Sequence, residues 1–140
     1  NWDNHGSIPK ELPPIATSVD QPIAALLADL ADRGLLSDTI VVWTNEFGRT
    51  PFAQNGQGRD HNGGTFVTWL AGAGVKAGVA HGESDELGYQ TASGTTTVHD
   101  LHATILHVLG IDHTRLTFRT SGVDRRITDV HGHVVREILA

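Results

Sequence analysis

Residues 39–44, Thr-Ile-Val-Val-Trp-Thr, form a short run that is apolar without alternation and rich in β-branched side chains. No other stretch constrains the fold as tightly. A strand with one wet face alternates polar and apolar residues, whereas a strand apolar at successive positions needs cover on both faces. The preceding residues supply part of that cover. In Ser-Val-Asp-Gln-Pro-Ile-Ala-Ala-Leu-Leu-Ala-Asp-Leu-Ala-Asp-Arg-Gly, residues 18–34, Ile23, Leu26, Leu27 and Leu30 recur at helical spacing. Ser18 or Asp20 can cap the start, Pro22 fits a first turn, and Gly34 suits the C-terminal end. A helix followed by a buried strand predicts an α/β fold, a layered sheet with flanking helices.

The flanking segments fit around that unit. Residues 1–14, with Pro and Gly, read as a loop, and so does the polar, Gly-rich stretch after Pro51. A second strand is predicted over 65–72, then a surface turn or small hairpin in the glycine-rich stretch that follows. A second helix follows, with Leu101, Ile105, Val108 and Leu109 on one face, Asp100 as cap and Gly110 as stop. Val134, Val135, Ile138 and Leu139 predict a closing helix beginning near Asp129. The glycines match no phosphate-cradling spacing, which excludes a dinucleotide-binding motif. No repeat or linker divides the chain, so residues 1–140 read as one unit.

Charge and composition remove several functional classes. The formal net charge is −6 and Lys and Arg are nowhere clustered, so nucleic acid and polybasic membrane contacts are not expected. No apolar run of about 18 residues is present to span a bilayer. Cysteine is absent, which removes disulfides and thiolate ligands, while histidine occurs nine times. A metal site in this chain would therefore be built from His, Asp and Glu.

Three places carry candidate chemistry. Asp3 and His5 lie two residues apart in Asn-Trp-Asp-Asn-His-Gly; they read either as turn formers or as two arms of a metal site. Glu46 and Arg49 follow the strand at 39–44, where ligands gather in α/β sheets; they read either as an active-site pair or as an ion pair tying the loop. Asp60 and His61 sit between glycines that let the backbone approach an ion; the alternative is a solvated loop. Of the other histidines, His99 is the one placed to support a ligand from behind, and His102, His107, His113, His131 and His133 read as structural or exposed. No serine sits in a nucleophile elbow.

"LADLADRGLLSDTIVVWTNEFGRTP" resembles the helix, turn and strand of the alkaline phosphatase and sulfatase superfamily, and "VHDLHATILHVLGI" is similar to its later helix. More closely, "WDNHG", "EFGRTP", "GRDH", "HDLHATILHVLGIDH" and "TDVHG" together look like the C-terminal part of a bacterial, sulfatase-like domain-of-unknown-function family, number 1501. The resemblance implies an alkaline phosphatase-like fold and a metal-dependent hydrolase of phosphate or sulfate esters. It assigns Asp3, His5 and His61 to one metal, and Glu46 with Asp60 to a second cation or its water. Phe47 stands where the superfamily has a second-metal histidine. Glu46 and Arg49 become candidate catalytic residues, and Arg49 and Arg59 candidates for binding a small-molecule or polysaccharide anionic ester. The implied cofactor is a divalent ion, zinc, manganese or calcium, and the implied location is periplasmic or secreted. The superfamily's nucleophile lies N-terminal to the matching region, so the chain is expected to be an incomplete, C-terminal portion partnered by a missing N-terminal half. The competing expectation is a non-catalytic module keeping the fold and at most one structural metal.

Overall fold

The computed structural model describes residues 2–140, a mixed α/β arrangement of two helices and four two-stranded antiparallel ribbons. Helix α1 runs Ile8–Asp32, so the predicted loop up to residue 14 is helical from its eighth residue onward. Ser7 is the cap, Pro9 lies in the first turn, and Pro13, Pro14 and Pro22 lie inside. An interior proline removes one ladder bond and costs about 3 kcal/mol. The helix nevertheless continues because its apolar stripe does. Ile8, Ile15, Val19, Ile23, Leu27 and Leu30 are all half-buried and recur at intervals of three, four or seven residues, well upstream of Ser18. Gly34, with φ of 70°, ends the helix as expected and donates to the Ala31 carbonyl.

Strand β1, Ile40–Trp43, answers the predicted strand and pairs antiparallel with β4, Trp69–Gly72. Trp43 pairs with Trp69 in the register, and their rings lie parallel with centroids 6.5 Å apart. Trp2 meets Trp43 edge-on at 6.0 Å. All eight residues of the pair are half-buried, so the expected cover on both faces is partial here. The chain between these strands forms a second ribbon, β2 (Gly48–Arg49) with β3 (His61–Asn62), Arg49 opposite His61. The glycine-rich stretch contains the predicted hairpin, β5 (Glu83–Ser84) with β6 (Thr91–Ser93). Its turn is drawn together by the Asp85 carboxylate, which accepts from the backbone of Leu87, Tyr89 and Gln90.

Helix α2 spans Val98–Val108 and stops at Gly110, which has φ of 76°. Its cap is Thr97, one turn before the Asp100 predicted for that role, and Asp100 is instead the returning arm of a capping box. Strands β7 (Thr117–Thr120) and β8 (Val123–Arg126) make a hairpin that the sequence pattern does not announce, turned by left-handed Ser121 and Gly122. The predicted closing helix is reduced to a 3-10 turn, Arg136–Ile138. Backbone N–H groups that the ladder of such a helix would need are committed elsewhere: His133 donates to Asp100 and Val135 to Thr104.

The centre of the molecule is small. Ala103 is the one buried apolar residue among the described residues, beside fully buried Thr104 and Thr128. Accessible surface totals 9376 Å² for 15.0 kDa. A compact monomer of that mass exposes about 7,000 Å².

Candidate metal centre

The centre is assembled where the residues before α1 dock on the loop between β2 and β3. Asn4 is buried; its carbonyl accepts from Arg59 N–H at 3.2 Å and its side chain donates to Glu11 at 3.2 Å. With Asn4 turned inward, Asp3 and His5 on either side of it reach the same outer space, which is the physical content of their spacing. The loop itself is closed by reciprocal backbone bonds between Gln54 and Gly58, across left-handed Asn55 and Gly56. Gly58 is buried against the His5 carbonyl, where a Cβ would overlap it. A side chain there would push the two segments apart. From the other side, Thr50 is buried, accepts from Asp60 N–H through its hydroxyl, and donates to the Phe52 carbonyl. Asn62, also buried, donates to the Tyr89 carbonyl and accepts from Gly64 N–H. These polar anchors hold β3, and with it His61.

The result is a triangle of donor atoms. Asp3 Oδ1 lies 2.8 Å from His5 Nε2 and 2.9 Å from His61 Nε2, and the two imidazole nitrogens are 3.1 Å apart. Asp3, His5 and His61 are the one group among the described residues whose ligand atoms all fall within 4.8 Å of each other. A tetrahedral ion at about 2.0–2.1 Å from each ligand would space them roughly 3.3 Å apart, so a shift of a few tenths of an ångström admits it. One carboxylate oxygen with two imidazole nitrogens suits zinc or manganese; calcium takes oxygen ligands and fits less well.

The surroundings prepare these atoms. His5 Nδ1–H donates to Gln54 Oε1 at 2.5 Å, which leaves Nε2 as the atom facing Asp3 and His61. Hydrogen bonds from His61 and then from Arg49, at 2.7 Å, hold the Asp3 carboxyl far below the usual carboxylate range. The Gln54 carbonyl, and behind it the charge on Asp3, raises His5 above its ordinary value. Arg49 is anchored further, donating to the backbone carbonyls of Arg59 and Trp2. A shallow concavity lined by Asp3, Asn4, His5, Gly6, Glu11 and Ile15 opens beside the triangle.

The residues singled out from the sequence divide into those brought together and those set apart. Asp3, His5 and His61 converge, and Arg49 pairs with Asp3 rather than with Glu46. Asp60 is adjacent: its Oδ1 accepts from His61 N–H and lies 4.0 Å from His5 Nδ1, outside the triangle. Glu46 is exposed and, among the described residues, takes part in no hydrogen bond or ion pair, so the loop-tying pair with Arg49 is absent. Arg59 is tied in through its backbone. His99 stands away from the triangle, edge-on to His131 at 6.1 Å. Gln54, Asn4, Thr50 and Asn62 were not foreseen. Asn4 is the one with a readable signal, as the middle residue between two that must point together.

The model of a family described as a protein of unknown function (DUF1501) matches residues 1–139. No curated protein and no solved structure matches the chain.

Proposed function

The chain belongs to the DUF1501 family, and on that premise we propose that it carries the metal centre of a sulfatase-like, metal-dependent hydrolase of phosphate or sulfate esters. The observation that carries this reading is the convergence of Asp3, His5 and His61, from segments far apart in sequence, on one point. These three side chains would hold one divalent ion, which when bound supplies Lewis-acid polarisation of an ester oxygen. Arg49, already seated on Asp3, is placed to neutralise an anionic ester that reaches the same corner. Asp60 meets His61 through the backbone; Glu46 and Asp60 would hold or orient a second cation or its water, and Arg59 with Arg49 would neutralise charge on the ester. The alkaline phosphatase-like layering and an exported location belong to this proposal. The test is metal titration of the full-length protein with Zn²⁺ and Mn²⁺, followed by hydrolysis of nitrophenyl sulfate and nitrophenyl phosphate. Stoichiometric binding and metal-dependent turnover, both lost in His61→Ala, support the enzyme; a folded protein that takes up neither ion ends it.

A second reading draws on Phe47, whose ring stacks on His61 at 4.0 Å between centroids. An apolar ring in that place favours a non-catalytic module with a single structural ion. Stoichiometric metal without turnover of either ester would select it.

A further inference from the structure

We propose that Phe47 is the positioning residue of the centre, the surface on which the His61 imidazole is laid so that its Nε2 meets Asp3. The metal-affinity part of this inference rests on the reading above; the geometric part does not. Arg49 and His61 are register partners in the β2–β3 ribbon, and Phe47 lies two residues before Arg49, so all three project from one face. Gly48, between them, faces the other way against the Thr65 carbonyl with no room for a Cβ, which pins the ribbon from behind. On the front, the rings of Phe47 and His61 lie 30° from parallel with centroids 4.0 Å apart, and the Arg49 guanidinium carbon is 5.6 Å from the same phenyl centre.

The two histidines of the triangle are held by different means. His5 is oriented by a hydrogen bond from its far nitrogen to Gln54. His61 Nδ1 has no such partner among the described residues, and its side chain is 45% exposed. Its ring is held by hydrogen bonding at the Nε2 end alone, and packing is what remains to fix the terminal torsion from the other side. The phenyl face supplies that packing, performing for His61 what the Gln54 amide performs for His5. The same ring carries the guanidinium, so one side chain aims both His61 and Arg49 at Asp3 Oδ1.

The experiment is proton NMR of the metal-free protein together with zinc titration of the wild type, Phe47→Leu and Phe47→Tyr. In the wild type the His61 ring protons are shifted upfield by the phenyl ring current. Leucine abolishes that shift and weakens zinc binding about tenfold, while tyrosine keeps the shift and stays within about twofold of wild type. Wild-type His61 protons at ordinary positions overturn the proposal, and so does a leucine variant that binds zinc like the wild type. The ring-current arm needs no variant, so it decides the matter even where Phe47→Leu does not fold. Absence of zinc binding by all three proteins, with the ring current present, removes the metal reading and leaves the positioning role standing.

Discussion

Gln54 shows how much of the centre depends on a residue with no motif of its own. Its carbonyl oxygen accepts the Nδ1 proton of His5, which fixes the tautomer that turns Nε2 toward Asp3. Removing the partner of a ligand histidine typically weakens metal binding by about 10–100-fold. Gln54→Ala is therefore expected to weaken Zn²⁺ binding by about tenfold with the fold intact, measured by calorimetric titration and circular dichroism. The three converging side chains, Asp3, His5 and His61, stood out in the sequence because Asp and His are chemically conspicuous where cysteine is absent. Gln54 was not legible, since a glutamine in a polar loop looks the same whether it faces solvent or an imidazole. Glu46 marks the opposite difficulty: a carboxylate at a strand end draws notice only if the strand end is buried, and here it is exposed.

Among the elements, α2 depends most clearly on one side chain. Asp100 closes the capping box with Thr97 and also accepts from His133 N–H, which fastens the C-terminal tail across the helix start. Burial by itself would raise its carboxyl, but the bonds from Thr97 and His133 outweigh that and hold it below the ordinary carboxylate range. Because the folded value is depressed, the stabilisation is complete above the ordinary carboxylate range and is lost as pH falls through the lowered value. Asp100→Ala is expected to cost about 1–2 kcal/mol near neutral pH. The gap from wild type, read from urea melts, should close as the medium is acidified below the ordinary carboxylate value. The stops of both helices could be read from Gly34 and Gly110, since a left-handed residue after an apolar stripe has few other uses. The start of α1 could not, because three prolines argued for a loop while Ile8, Ile15 and Val19 carried the stripe through them. The tail failed as a helix for a tertiary reason, its amides having been claimed by Asp100 and Thr104.

For the molecule as a whole, the mixed α/β character followed from β1 and the helix before it, whereas the arrangement as four separate ribbons did not. Pairing partners such as β1 with β4 are set by contacts distant in sequence that local periodicity does not encode. One tertiary feature has a thermodynamic side. The Asp3 and His61 side chains meet across 58 positions of chain, and the whole of α1 and β1 lies in between. An ion joining them would act as a clasp on a long polypeptide ring, removable by chelator where a covalent cross-link is not. At a free Zn²⁺ concentration about 100 times the dissociation constant, the clasp would add about 2.7 kcal/mol to stability. The melting temperature is thus expected to climb with added zinc and to fall back on EDTA, and a transition indifferent to both would show that the ring stays open.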